Sequence, residues 1–133
     1  MDGEKRATRH TDLKVYERAF AAAARVFGLS RKFPREETYA LTDQVRRSSR
    51  SVAANIAEAW RHRRYPAAFS SRMTVSEGET AETQTWLQFA VHHEYLPAEE
   101  GRFLYREYDE IIAMLVTIAR QPEKWCIPAT PKK

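Results

Sequence analysis

The sequence predicts an all-α chain folded as an antiparallel up-down-up-down four-helix bundle, on three observations. Apolar residues recur at spacings of three, four and seven over long stretches, the period of one helix face. Only four glycines and six prolines stand among 133 residues, too few for a turn-rich β architecture. The prolines punctuate segments of roughly 20 to 28 residues. Helices of that length joined by short turns pack as antiparallel neighbours crossing at roughly 20°.

The first helix is expected from about Leu13 to Lys32, with Asp12 as its N-cap. Val15 or Tyr16, Ala19, Phe20, Ala23, Phe27 and Ser30 share one face of it. Phe33-Pro34 ends it, because proline lacks a donor and disfavours helical geometry in the residue before it. The second helix begins near Pro34 to Glu37, where Glu36 and Glu37 suit the positive end of the dipole. It carries Leu41, Val45, Val52, Ile56 and Trp60 to about His62. The third runs from about Pro66 to His93 with Phe69, Met73, Thr80, Thr83, Leu87 and Ala90 in near-heptad register. Gly78 within it costs about 1 kcal/mol relative to alanine, which points to a close helix crossing there. The fourth spans about Pro97 to Arg120 and carries Phe103, Leu104, Tyr108, Ile111, Ile112, Leu115 and Ile118. The chain thus divides into a flexible segment 1–12, a bundle 13–120, and a hook at Trp125 with a tail, 121–133. Four polar residues fall on or beside the apolar stripes: Asn55, Glu58, Ser76 and Glu82. Buried carboxylates and amides need partners, so Glu58 or Glu82 is expected to bridge to an arginine such as Arg47.

The net charge of +4 is unevenly spread: residues 1–76 hold sixteen Lys/Arg against eight Asp/Glu, and residues 77–133 hold six against ten. The second helix concentrates the positive half. Arg46, Arg47 and Arg50 lie within little more than one turn, beside the stripe of Val45, Val52, Ile56 and Ala59, and Arg61, Arg63 and Arg64 follow at its end. Such guanidinium groups meet successive phosphates, each contact adding a salt-sensitive increment through counterion release. Tyr65 and Trp60 beside them suit stacking on exposed bases, with the core as the stronger alternative for Trp60. An alternative use of the same arginines is pairing with Asp43, Glu58 or a neighbouring subunit.

Catalytic readings fail on spacing. A di-iron bundle needs Glu-x-x-His pairs, but Ala7, Ala59, Phe89 and Ala90 stand three residues before His10, His62, His92 and His93. There is no phosphate-cradling glycine loop and no His-Glu-x-x-His pattern. No metal or cofactor is expected. One cysteine, Cys126, excludes an intramolecular disulfide and suits a reducing compartment. Met1 to Asp12 has no apolar core for a signal peptide, and Ala19 to Leu29 is shorter than the roughly 20 residues that span a bilayer. A cytoplasmic protein with no membrane partner is expected.

The order Leu13-Lys14-Val15-Tyr16, Phe33-Pro34-Arg35-Glu36-Glu37, Gln44-Val45-Arg46-Arg47-Ser48, Asn55-Ile56-Ala57-Glu58, then Gly78 with Glu82, resembles the 23S rRNA intervening-sequence proteins, also called four-helix bundle proteins. The likeness covers about residues 12 to 120. It implies a short left-handed bundle that assembles as a ring-shaped homopentamer with a basic surface. Related bundles, the accessory variability proteins of diversity-generating retroelements, bind nucleic acid and a reverse transcriptase. The chain departs from the family pattern at Ala53, Ala59 and Glu79, where proline, glycine and serine are usual. Alanine in place of proline and glycine makes the second helix straighter. The resemblance and the residues together lead to a non-catalytic, pentameric accessory protein binding RNA or DNA through Arg46, Arg47, Arg50, Arg61, Arg63 and Arg64. The alternative is an interaction scaffold that docks a partner enzyme such as a reverse transcriptase, with the arginines serving assembly.

Overall fold

The computed structural model describes residues 7–128. Residues 1–6 of the expected flexible segment and 129–133 of the expected tail lie outside the described residues. Four long helices carry the fold: α1 Lys14–Ser30, α2 Asp43–Arg61, α3 Pro66–His92 and α4 Ala98–Arg120. No strand occurs among the described residues. Each helix packs on its neighbour in sequence, and α1 also meets α4.

The expected stripes on α2 and α3 are the buried ones. Val45, Val52, Ile56, Ala59 and Trp60 face inward from α2, and Phe69, Met73, Thr80, Thr83, Leu87 and Ala90 from α3. The α2–α3 seam is built from small polar side chains that satisfy one another. The Ser48 and Thr83 hydroxyls lie 2.7 Å apart, and Ser76 Oγ donates to the Val52 carbonyl at 2.8 Å. Short hydroxyls let the helix axes approach while leaving no buried donor idle.

On α1 the structure rotates the expected face. Val15, Ala19, Ala22 and Val26 are buried, whereas Phe20 is 59% exposed and Phe27 half-buried. Two apolar stripes, 15/19/22/26 and 16/20/23/27, lie about 100° apart, and both have helical period. The first is buried among the other helices, which leaves the second on the flank beside α2.

The entry to α2 differs from a simple proline start. A 3₁₀ turn, Arg35–Glu37, leads into a π-helical turn, Thr38–Thr42, before the α-helix begins. The Glu37 carboxylate accepts from Leu41 N at 3.2 Å and from the Tyr95 hydroxyl at 2.9 Å, satisfying a donor the widened turn leaves free. Asp12 caps an earlier turn than expected, accepting from Thr8 N and Arg9 N at 3.0 and 3.2 Å. Those backbone donors hold its carboxyl below the usual range. The α3–α4 turn is a Schellman motif, with Tyr95 N donating to Ala90 O and Glu94 N to Val91 O. It places Glu94 at φ 62°, a position that favours glycine.

The expected close crossing at Gly78 is not there: a Cβ on Gly78 meets nothing within 4 Å, and the residue is exposed. The tight place is Gly101 on α4, where a Cβ would lie 2.3 Å from Val91 Cγ2. The hook forms as a 3₁₀ turn, Pro122–Lys124, with Trp125 and Cys126 packed on the core and Ile127 N donating to Arg63 O at 2.9 Å.

Candidate nucleic-acid interface

The arginines sort by their partners. Arg18 on α1 grips Glu107 of α4 through two bonds of 2.9 and 3.0 Å and also pairs with Glu110. Arg25 pairs with Glu100 at 2.9 Å, and Arg72 with Glu58 at 3.5 Å. Arg47, expected on the phosphate-binding face, instead turns to α3 and pairs with Glu79 and Glu82. These contacts raise its pKa, the hydrogen bond to Glu82 most of all. One residue's advance around a helix is about 100°, enough to separate Arg47 from Arg46 onto different sides of α2.

Arg46 and Arg50 point the other way, toward α1. Arg46 Nε donates to Ser30 Oγ at 2.8 Å, and its guanidinium lies 4.4 Å from the centre of the Phe27 ring. Arg50 lies 5.5 Å from the same ring, and Arg31, at the end of α1, lies 5.7 Å from it. Three guanidinium groups thus converge on one phenyl ring, whose quadrupole attracts cations and needs no carboxylate to hold them. None of the three has a carboxylate partner among the described residues. Helical period alone does not reveal Arg31, because it puts Phe27 on the buried stripe. The four-residue spacing from Phe27 to Arg31 was the available signal.

The remaining three arginines form a separate group. Fifteen residues divide Arg46 from Arg61, about 22 Å along the helix axis. Arg61 and Arg64 are exposed, without an ion pair among the described residues. Arg63 lies flat on Trp60, 3.6 Å from the ring centre, and its Nε donates to the Trp60 carbonyl at 2.9 Å. Burial, and then the neighbouring Arg61, lower its pKa. Trp60 is only 4% exposed, so it is core capped by a cation, while Tyr65 is free at the surface.

Of the four polar residues expected on or beside the apolar stripes, Ser76 is buried in the α2–α3 seam and the other three differ in burial. Asn55 is buried, donates to Ser51 O at 2.9 Å and accepts from Arg72 at 3.0 Å. Glu82 is half-buried and held by Arg47 and by Trp86 Nε1 at 3.1 Å. Glu58 is not buried: its side chain is 59% exposed and its partner is Arg72, not Arg47. It sits two residues from Ile56, some 200° around the helix from that core position.

Beside the arginine trio runs an apolar groove of about 490 Å³ between α1 and α2, lined by Tyr16, Phe20, Ala23, Phe27, Arg50 and Ala54 among others. The described residues hold no cluster of three or more His, Cys, Asp and Glu able to bind a metal ion. None of their helices is long and apolar enough to cross a membrane. Cys126 is half-buried, and burial raises its thiol pKa, against a nucleophilic role.

The sequence profile of the family described as "23S rRNA-intervening sequence protein" matches residues 11–117. A crystal structure of a protein with unknown function from the S23 ribosomal protein family of Bacteroides thetaiotaomicron superposes with a TM-score of 0.72. It is 26% identical, and the match covers 80% of this chain and 95% of that one. No curated protein matches the sequence.

Proposed function

Because the chain belongs to the 23S rRNA-intervening sequence protein family, we propose that it is a non-catalytic, homo-oligomeric accessory protein that binds nucleic acid through a basic face. The carrying observation is the trio of Arg31, Arg46 and Arg50, gathered on Phe27 with no carboxylate to neutralise them. Arg61 at the end of α2 and Arg64 in the turn after it add positive charge at the far end of that helix. Arg63 contributes less, being stacked on Trp60, and Arg47 serves the α2–α3 contact. The proposed setting is the cytoplasm and the proposed ligand RNA or DNA.

The bundle is read as up-down-up-down, supported by cross-helix bonds that pair Ser48 with Thr83, Val52 with Ser76 and Asn55 with Arg72, in opposite chain order. Left-handed supercoiling and a ring of five follow the family resemblance. Five copies would multiply a weak site by avidity. The scaffold alternative draws on the opposite flank, where exposed Phe89 stands beside Trp86 and His93 as a surface for a partner enzyme such as a reverse transcriptase.

Salt-titrated binding to RNA and DNA, with particle size measured in parallel, tests the reading on an Arg31→Ala/Arg46→Ala/Arg50→Ala variant. Lost binding at unchanged size and helix content supports it. Unchanged binding refutes it, and collapse to monomers favours the scaffold.

A further inference from the structure

We infer that the groove between α1 and α2 takes an unpaired stretch of nucleic acid, its bases lying on the apolar floor while the flanking phosphates meet Arg31, Arg46 and Arg50. This rests on the nucleic-acid reading above and narrows it from polyanions in general to single strands. Cations without carboxylates gather at the groove's Phe27 end, where Arg50 lines it and Arg31 and Arg46 reach the same ring. Between the Phe20 and Phe27 rings the groove is lined by small side chains, Ala23 and Ala24 from α1 with Ala53 and Ala54 from α2.

Aromatic rings bracket that floor. Phe20 stands toward one end, with the Tyr16 ring tilted against it at 6.0 Å, and Phe27 stands toward the other, beside the arginines. Seven residues separate Phe20 from Phe27, about 10.5 Å along the helix. That rise equals about three steps of roughly 3.4 Å along a strand, the length of two stacked bases between the two positions.

Other occupants fit less well. A duplex hides its base faces and presents a convex rod of phosphates, which reaches the rim and leaves Phe20 in water. A second copy of this chain would have to bring carboxylates to the trio. Five of the ten carboxylates of its second half, Glu79, Glu82, Glu100, Glu107 and Glu110, are already held by Arg47, Arg25 and Arg18. That leaves Glu77, Glu94, Glu99, Asp109 and Glu123 without an ion pair among the described residues, and particle size tests that occupant.

The test compares three labelled probes of equal length, about twelve nucleotides: oligo(dT), a duplex, and an abasic strand that keeps sugars and phosphates only. Binding is read by fluorescence anisotropy for the full chain and its Phe20→Ala variant, with size and helix content recorded. Wild type is expected to prefer oligo(dT) to both other probes. Phe20→Ala, a change at an exposed position, is expected to weaken oligo(dT) about tenfold and leave the abasic strand unchanged. The Phe20→Trp variant is expected to retain oligo(dT) binding and to change emission with oligo(dT) alone.

Equal affinity for duplex and single strand, or equal loss on all probes, overturns the groove assignment while leaving the basic-face reading standing. A change of particle size in Phe20→Ala overturns it too, marking the groove as a seam between copies. Failure of wild type to bind any of the three probes, or oligo(U) of the same length, overturns both readings.

Discussion

Replacing Arg31, Arg46 and Arg50 with alanine together removes three positive charges without a carboxylate partner among the described residues, at small structural cost. Arg31 and Arg50 are exposed, and Arg46 gives up one hydrogen bond to Ser30, whose hydroxyl still donates to the Phe27 carbonyl at 2.9 Å. The fold should therefore lose only about 1 kcal/mol. Three phosphate contacts on a single strand contribute about −2 to the slope of log K against log salt. A fourfold rise in salt, from about 50 to 200 mM, then weakens the wild-type contribution by roughly 18-fold. Anisotropy titrations across that salt range should show the variant's slope flattened by about 2 per protomer. Arg47→Ala is the internal control. Its guanidinium is already paired with Glu79 and Glu82, so it should leave the slope nearly unchanged and lower stability by at most about 1 kcal/mol. A slope that falls as much in Arg47→Ala as in the triple variant would refute the division of the arginines by their partners.

Three further outcomes are expected. Gly78→Ala should stabilise the chain by about 1 kcal/mol in thermal or urea unfolding, since its Cβ meets open space, whereas Gly101→Ala should destabilise it by about 1–3 kcal/mol through the clash with Val91. Tyr108 is fully buried with no hydrogen-bond partner for its hydroxyl, and burial raises its pKa. Tyr108→Phe should therefore raise stability by about 1 kcal/mol, by relieving an unsatisfied buried group. Arg18 holds the Glu107 carboxyl below its usual value near 4.5. A depressed carboxylate contributes stability above the unfolded pKa and loses it as pH falls through the folded one. Unfolding free energy should thus drop below about pH 4.5, and a Glu107→Gln variant should show a shallower drop.

Much of the helical framework was legible because local rules dominate there. On α2 the stripe from Val45 to Trp60 is the one apolar face, so period alone identifies what is buried. The third helix, α3, buries Ser76, Thr80 and Thr83 along with Phe69, Met73, Leu87 and Ala90 and leaves Val75 and Phe89 exposed, so there the near-heptad register identifies the inward side. On α1 two faces qualify, and no property of residues 13–32 chooses between 15/19/22/26 and 16/20/23/27. The choice is made by the other helices, which cover the first and leave Phe20 and Phe27 at the edge of α2. Gly101 was missed for a related reason, because its tightness comes from Val91 on another helix.

The same distinction governs the site. Chain order alone placed a dense run of arginines on one helix and an excess of carboxylates in the second half, and those facts hold in any fold. Which arginines remain available is a matter of neighbours. Arg46 and Arg47 are adjacent in the chain, yet one rests on a phenyl ring and the other is neutralised by Glu79 and Glu82. Charge is a property of a residue, but its availability to a phosphate depends on what other helices bring within a few ångströms.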